Sequence, residues 1–200
     1  MKPATCDKRP TTLTIVYYGP PSSGKTTSVA QLHRCLAFAF PAEFVRLDSR
    51  DPDFCFDLLT CSLRASSGIP LLLKVYTIPR VTRFEETCGV LVDHADAIVF
   101  MADSQRARQR DNVEAYSGLR PHLPLVLQFN KRDLPDAVPE KELRATWCTE
   151  GAPLFFSSAL LDQGVMEPFC EAVRRACRED GFPEELLSRC CSGEPARSRG

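Results

Sequence analysis

Short apolar runs alternate along the chain with segments in which apolar residues recur every three or four positions. A run of four to eight apolar residues predicts a buried strand, and the helical spacing predicts an amphipathic helix. The pattern predicts six strands, at residues 13–18, 57–65, 71–78, 97–103, 124–130 and 153–159. The second of these alternates only weakly, which is typical of a strand at the edge of a sheet.

Helical patterns occupy the intervals between these runs, at residues 25–38, 83–94, 105–119, 139–147 and 164–180. Strands that alternate with helices predict an α/β fold, with a mostly parallel sheet and helices on both faces. No internal repeat or linker interrupts the pattern. We therefore expect one folded domain over 13–182, a disordered segment at 1–12, and a short helix with a flexible tail at 183–200.

Composition narrows the classes of function but selects none. A chain of 200 residues suits a single domain with a sizeable core. The formal net charge of -1 favours neither a nucleic acid nor an anionic membrane as a partner. No apolar run is long enough to span a membrane, and the start is polar, so we expect a cytoplasmic protein without an integral membrane segment.

Cysteine is abundant, with ten residues scattered along the chain and no C-x-x-C pair. This spacing argues against a zinc site or a redox pair, and we interpret most of the cysteines as reduced thiols packed in apolar segments. Cys190 and Cys191 stand apart beside a polar tail, for which we predict no particular role.

The first candidate for chemistry is GPPSSGKTT at 19–27, between a predicted strand and a predicted helix. It fits G-x-x-x-x-G-K-[ST], a loop whose backbone N–H groups and following helix N-terminus bind phosphate. Lys25 is expected to reach the outer phosphates, and the Thr26 hydroxyl to bind Mg²⁺. The predicted phosphate-binding residues are Gly19, Ser22, Ser23, Gly24, Lys25, Thr26 and Thr27.

The second candidate is NKRD at 130–133, at the end of a buried run, followed by SSA at 157–159 after the next strand. Ligands bind at this carboxyl edge of such sheets, and a carboxylate can accept hydrogen bonds from two guanine N–H groups. NKRD alone is also compatible with an ordinary charged loop. Together with the phosphate loop and SSA it predicts guanine binding by Asn130, Lys131, Asp133, Ser158 and Ala159.

These motifs, with VYTIP at 75–79 and IVFMADS at 98–104, resemble those of Ras-like small GTPases, and within them the MglA branch of bacterial gliding-motility and polarity proteins. The resemblance implies a Ras-like P-loop G domain with a six-stranded sheet and about five helices. It implies GTP or GDP and Mg²⁺ as ligands. It also implies a roadblock or MglB-type regulatory partner and motility or polarity effectors.

The chain departs from the family pattern in its two switch segments. Pro52 stands at the position of the catalytic arginine, and Asp53 at that of the threonine that closes on Mg²⁺ and the γ-phosphate. Arg80 and Val81 replace the glycine and the water-orienting glutamine after the third strand. An arginine finger contributes about 10³–10⁵ in rate. We therefore expect intact nucleotide binding with hydrolysis that is weak or absent, and name no catalytic residue.

Three hypotheses follow for function. The first is a molecular switch in polarity or motility signalling with slow or partner-dependent GTP hydrolysis. The second is a pseudo-GTPase scaffold that binds nucleotide and partner proteins without turnover. The third, a P-loop kinase of small metabolites, is disfavoured by NKRD and SSA. The arginine-rich segment 104–111 is interpreted as a solvated helix face, and Asp103 as a residue near the nucleotide.

Overall fold

The computed structural model describes residues 11–48, 55–78, 85–119, 123–147, 151–177 and 181–186. Its strands are β1 (Thr11–Tyr18), β2 (Ala42–Asp48), β3 (Cys55–Arg64), β4 (Pro70–Thr77), β5 (Ala97–Asp103), β6 (Leu125–Asn130) and β7 (Leu154–Phe156). Its α-helices are α1 (Lys25–Ala37), α2 (Glu85–Asp93), α3 (Gln109–Ser117), α4 (Glu140–Trp147) and α5 (Met166–Ala176). The six predicted strands and five predicted helices are all present.

The sheet has seven strands in the described chain, in the order β2-β3-β4-β1-β5-β6-β7, so the prediction of six was wrong. The five strands from β4 to β7 run parallel, while β2 and β3 are antiparallel to their neighbours. The additional strand β2 was missed because AEFVRLD mixes charged and apolar residues and its described side chains are only partly buried. Because β2 covers β3, β3 is an interior strand and the prediction of an edge was also wrong.

Alternate residues of the central strands pack against helices on opposite faces of the sheet. Ile15 and Tyr17 of β1 belong to a core cluster that includes buried residues of α1 and α5. Val16, between them in sequence, packs on the other face with partly buried residues of α2. The predicted α/β fold with helices on both faces is therefore confirmed.

An aromatic cluster supports the strands that end at the carboxyl edge of the sheet. Trp147 of α4 is only 5% exposed, and its ring lies 6.0 Å from the Phe100 ring and 5.4 Å from the Phe129 ring. Strand β5 is buried along its whole length. This packing fixes the ends of β5 and β6, where the polar residues described below begin.

The outer parts of the chain add little to the description. Leu186 is fully buried against the core near α5. Cys61 and Cys170 are buried thiols that form no disulfide, as expected for cysteines in apolar segments. Residues 1–10 and 187–200, including Cys190 and Cys191, lie outside the described residues, so the predicted disorder of these residues stays a prediction. Thr11 and Thr12, expected at the end of the disordered segment, are instead the first residues of β1. Among the described helices, none is long and apolar enough to cross a membrane.

Candidate nucleotide site at the carboxyl edge of the sheet

The loop between β1 and α1 needs glycine at both glycine positions of the G-x-x-x-x-G-K-[ST] motif. Gly19 has φ +147°, and a Cβ there would lie 2.1 Å from the carbonyl oxygen of Met101. Gly24 has φ +101°, and a Cβ there would lie 2.1 Å from Nδ2 of Asn130. Larger residues would force the loop away from the ends of β5 and β6. The glycines therefore allow the loop to fold tightly against the sheet, with the N-terminus of α1 directly after it.

Lys25 lies across this loop rather than in solvent. The residue is 8% exposed, and its Nζ donates hydrogen bonds to the carbonyl oxygens of Gly19 at 3.0 Å and Pro20 at 2.8 Å. Burial lowers the pKa of Lys25 to about 8. Because a nearby anion would favour the charged form, this ammonium group is suited to bind phosphate.

The serines and threonines of the predicted phosphate-binding set differ in exposure. Ser22 and Thr27 are exposed, whereas Ser23 is fully buried. The Ser23 hydroxyl has no hydrogen-bond partner among the described residues. Ser22 has φ +61°, a left-handed conformation that helps the backbone curl around the loop. The structure thus places all of 19–27 in one strand-loop-helix unit.

Asn130 joins the phosphate loop to the predicted guanine-binding segment. Its Nδ2 donates to the carbonyl oxygen of Ser23 at 2.9 Å. Its Oδ1 accepts hydrogen bonds from the Ala159 N–H at 2.9 Å and the Ser157 hydroxyl at 3.2 Å. One buried side chain therefore holds together three loops that are distant in sequence. The Ala159 N–H is engaged by Asn130, so contact with a base oxygen would require it to share or exchange this bond.

Lys131 and Asp133 project from the same loop in different ways. Lys131 has φ +66°, and its Nζ donates to Oδ2 of Asp103 at 2.6 Å. Asp133 is exposed, and its carboxylate makes no hydrogen bond within the described part of the chain. The Ser158 N–H donates to the carbonyl oxygen of Gln163 at 2.9 Å. Asp133 is thus the predicted base-binding group whose acceptor oxygens remain available.

Asp103, at the end of β5, holds this loop in place by hydrogen bonds. It is fully buried, and its other carboxylate oxygen, Oδ1, accepts the N–H of Gln105 at 2.9 Å. Asn112 also bonds both the N–H and the carbonyl of Asp103, at 3.0 and 2.8 Å. Asp103 fixes the position of the Lys131 amine by their hydrogen bond. Its place near the nucleotide stays a prediction. We call Asp103, Asn130, Lys131, Asp133, Ser157 and Ala159 the base end of the site.

The opposite side of the phosphate loop contains a residue that the sequence analysis missed. Asp57, at the start of β3, is 1% exposed, and its Oδ2 accepts hydrogen bonds from the hydroxyls of Thr26 at 2.5 Å and Thr77 at 3.0 Å. The Asp57 N–H donates to the Thr77 hydroxyl at 2.9 Å, and Arg46 Nε donates to Asp57 Oδ1 at 3.1 Å. We call Thr26, Arg46, Asp57 and Thr77 the metal end of the site.

The pairing of strands explains why the sequence alone did not identify Asp57 as a residue of the site. Leu58 of β3 faces Tyr76 of β4, so the preceding residue, Asp57, comes beside Thr77. Thr77 belongs to the VYTIP segment, one of the motifs on which the resemblance rests. A carboxylate from the neighbouring strand, that of Asp57, lies beside its hydroxyl. Asp57 is a charged residue at the start of an otherwise apolar predicted strand, which is unusual in itself. Only the pairing of β3 with β4 shows that it lies beside Thr77.

The donor set at the metal end fits a magnesium ion. Mg²⁺ prefers oxygen ligands and is commonly bound by one or two carboxylates together with substrate phosphates. The Thr26 and Thr77 hydroxyls each donate to Oδ2 of Asp57, so three oxygens lie close together beside the phosphate loop. Among the described residues there is no cluster of three His, Cys, Asp or Glu side chains. One carboxylate and a hydroxyl beside a phosphate loop suit an ion that also binds phosphate.

Comparison with known proteins identifies the family to which the chain belongs. The chain is 32% identical over 164 residues to the mutual gliding-motility protein MglA of Myxococcus xanthus (strain DK1622). The match covers 76% of this chain and 84% of the relative. The chain belongs to the MglA family of Ras-like small GTPases. No protein-family model matches it.

Membership of the MglA family agrees with a Ras-like G domain whose loops meet at the carboxyl edge of the sheet. The predicted switch residues Pro52, Asp53, Arg80 and Val81 lie in 49–54 and 79–84, outside the described residues. The structure consequently brings together the predicted phosphate-binding and guanine-binding residues, and adds Asp57, Thr77 and Arg46. It describes no contact of the switch residues.

Proposed function

We propose that the chain is a Mg²⁺-dependent switch that binds GTP and GDP and hydrolyses GTP slowly or only with a partner. The observation that carries the proposal is Asn130, whose side chain bonds the phosphate loop at Ser23 and the predicted guanine loop at Ala159. A ligand with phosphates in the first loop would present its base beside the second. This spacing supports a nucleotide, rather than a free phosphate, as the ligand.

The chemistry of the base end favours guanine over adenine. The Asp133 carboxylate has free acceptor oxygens, which match the ring N–H and exocyclic amine of guanine. Adenine offers no N–H at the corresponding ring nitrogen. Lys131 is held by Asp103 at 2.6 Å, so its alkyl stem is fixed near the place where a base would lie.

Thr26 and Asp57 would hold the magnesium ion, with Thr77 positioning the carboxylate by its hydrogen bond. When bound, such an ion neutralises charge on the outer phosphates. The chain itself contributes Lys25, whose buried ammonium group is available for the same phosphates. Binding of a triphosphate is therefore supported by groups on both sides of the loop.

Slow hydrolysis is proposed from the residues at the switch positions. Phosphoryl transfer depends mainly on positioning and charge stabilisation. Proline at 52 has no charge, and valine at 81 has no group to orient water. These departures also favour a second candidate function, a pseudo-GTPase scaffold that binds nucleotide and partner proteins without turnover. In either case we propose a roadblock or MglB-type regulator, motility or polarity effectors, and a cytoplasmic location.

The nucleotide proposal is tested by competition. A fluorescent guanine nucleotide bound to the protein with Mg²⁺ should be displaced by GTP and GDP at far lower concentrations than by ATP. Chromatography of the denatured protein should release GTP or GDP as the bound ligand. Equal displacement by ATP and GTP would overturn the guanine assignment, and failure of every nucleotide to compete would overturn the proposed function.

A further inference from the structure

Three successive carbonyl oxygens of the phosphate loop are each contacted by a cationic side chain. Lys25 Nζ donates to those of Gly19 and Pro20, at 3.0 and 2.8 Å. Arg108 Nη2 donates to the next one, that of Pro21, at 3.2 Å. The lysine belongs to the recognised loop motif. The arginine follows β5, the strand that pairs with β1, and lies 87 residues further along the chain.

The loop lacks donors where Arg108 meets it. Pro20 and Pro21 have no N–H, so this part of the loop cannot bind phosphate through its backbone. A guanidinium group carries five N–H donors and binds phosphate in a bidentate way. Arg108 therefore offers donors at the point where the sequence of the loop removes them.

The contact also lies at the end of the loop that faces the outer phosphates. In such loops the helix end binds the inner phosphates, and the lysine reaches the outer ones. Lys25 rests on the carbonyls of Gly19 and Pro20, which marks these carbonyls as the outer-phosphate end. Arg108 rests on the neighbouring carbonyl, so exchange of that neutral acceptor for an anionic oxygen would strengthen its hydrogen bond.

The segment that carries Arg108 is tied to the base end. Arg108 closes a short 3-10 helix, Arg106–Arg108, that follows β5. Before it, the Gln105 N–H bonds the buried carboxylate of Asp103 at 2.9 Å. After it, the Gln109 side-chain amide donates to the carbonyls of Asp103 and Gln105, both at 3.0 Å. The backbone beneath the guanidinium group is thus fixed, while the side chain remains 36% exposed and able to turn.

The neighbouring arginines show that this placement is specific. Arg106 forms a bidentate pair with Glu142 of α4, both bonds at 2.9 Å, and Arg110 is exposed. Within the described chain the competing partner of Arg108 is Asp111 at 2.7 Å, in an (i, i+3) pair whose two side chains are partly exposed, and such local pairs are weak. The interpretation of 104–111 as a solvated face holds for Arg110 but not for Arg108.

We propose that Arg108 is a phosphate-binding residue of the site, which contacts the terminal phosphate of a bound nucleoside triphosphate. This rests on the proposed function. Arg108 provides a positive charge from the chain itself at the triphosphate, although position 52, where the family has its catalytic arginine, is a proline. It holds the triphosphate in place. Without a residue to orient water, such a contact holds the ligand rather than cleaves it.

The test compares Arg108→Ala with Arg106→Ala, which removes the same charge from the same turn but from the Glu142 pair. Affinities for GDP and for a non-hydrolysable GTP analogue are measured with Mg²⁺. Arg108→Ala should weaken binding of the analogue by about tenfold or more and of GDP by less than about threefold. Arg106→Ala should leave the ratio of the two affinities unchanged. Arg108→Lys, which keeps the charge and the fold, should give an intermediate ratio.

Equal losses for GDP and the analogue in Arg108→Ala would show that Arg108 supports the loop without contacting the terminal phosphate. A ratio like that of Arg106→Ala would show the same. Either result overturns the inference while guanine binding by the unaltered protein still stands. Failure of the unaltered protein to bind either nucleotide overturns the proposed function and the inference together.

Discussion

The base end and the metal end of the site differ in how their residues are related along the chain. At the base end, Asn130 and Lys131 are adjacent members of one motif, and their partners follow other strands at the same edge. At the metal end, Asp57 and Thr77 come from antiparallel strands and meet only through the register of the sheet. A site made by one motif can be recognised from sequence, whereas a site made by strand pairing requires the structure.

The two ends also differ in what their carboxylates do. Asp103 is used within the protein, since its oxygens accept from Lys131 and Gln105. Asp57 is held by Thr26, Thr77 and Arg46, and of these Thr26 is the partner that we propose to bind the metal ion with it. The base end is therefore organised by hydrogen bonds within the protein, whereas at the metal end the proposed function requires Thr26 and Asp57 to exchange their mutual hydrogen bond for an ion. The following variants test this difference, beginning with the loop that both ends share.

Lys25→Ala should cause the largest loss, because it removes the buried cation between the two ends. Loss of two charge-assisted hydrogen bonds to phosphate should cost about 3–6 kcal/mol of triphosphate affinity. The control is Arg34→Ala, which removes an exposed charge from the same helix. Titration with a fluorescent GTP analogue measures both. Comparable affinities for the two variants would show that Lys25 does not contact phosphate.

Asp133→Ala should damage the base end selectively. It removes two acceptors for guanine N–H groups and should cost about 2–4 kcal/mol of affinity for GTP and GDP. Asp136→Asn is a matched control, because Asp136 lies in the same loop but bonds Gln105. Competition binding should show that Asp133→Ala loses most of its preference for GTP over ATP. A retained preference would assign guanine selectivity to another group.

Asp57→Asn should affect the metal end while leaving the base end intact. The Mg²⁺ concentration that half-stabilises the nucleotide complex should rise by about tenfold or more, because the amide lacks the charge of the carboxylate. Thr26→Asn should also weaken Mg²⁺-dependent binding more than binding in a chelator. Glu43→Gln on the neighbouring strand is the control. Equal losses with and without Mg²⁺ would exclude Asp57 and Thr26 as metal ligands.

The smallest expected effect is uptake of a proton at Lys25. Its pKa is lowered to about 8 in the free protein, and a bound phosphate should raise it. At pH 8.5 roughly three quarters of the free lysine is neutral, so binding should take up more than about half a proton. Calorimetry in buffers of different ionisation enthalpy measures this uptake. Lys25→Arg should abolish it, because arginine stays charged, and uptake that persists would assign the proton to another group.

The same shift has a consequence for stability without ligand. The pKa of Lys25 in the folded protein lies below its ordinary value of 10.5, so the unfolded chain binds more protons between about pH 8 and 10.5. The contribution of Lys25 to folding stability therefore improves as the pH rises through this range. We expect nucleotide affinity to fall over the same range, because a phosphate favours the charged lysine. Opposite pH dependences of folding stability and nucleotide affinity are expected for a buried lysine whose charge serves to bind a ligand.

Sequence predicted the parts of the molecule whose signals are local. Apolar runs located β1, β4, β5 and β6, and the two loop motifs predicted which segments meet at the sheet edge. Strand β2 was missed because its edge position leaves charged residues among its apolar ones. Strand β7 ends at Phe156, earlier than predicted, because a 3-10 turn begins at Ala159.

The missed parts of the site have a common physical cause. Asp57 and Arg46 face each other across β2 and β3, a pairing that depends on the unpredicted strand. Arg108 reaches Pro21 from a segment that composition marked as solvent-exposed. Long side chains and strand register bring such residues together over large sequence separations. Neither leaves a periodic pattern in the sequence.

Single-turnover GTP cleavage by the unaltered protein with saturating Mg²⁺ tests whether the site binds GTP without cleaving it. Binding of the same preparation is measured first, so that slow chemistry is separated from weak affinity. We predict tight binding and a nucleotide that remains largely GTP, with faster cleavage only if a roadblock-type partner is added. Rapid cleavage by the protein alone would contradict this prediction, and would show that the residues at the switch positions assemble a working catalytic site.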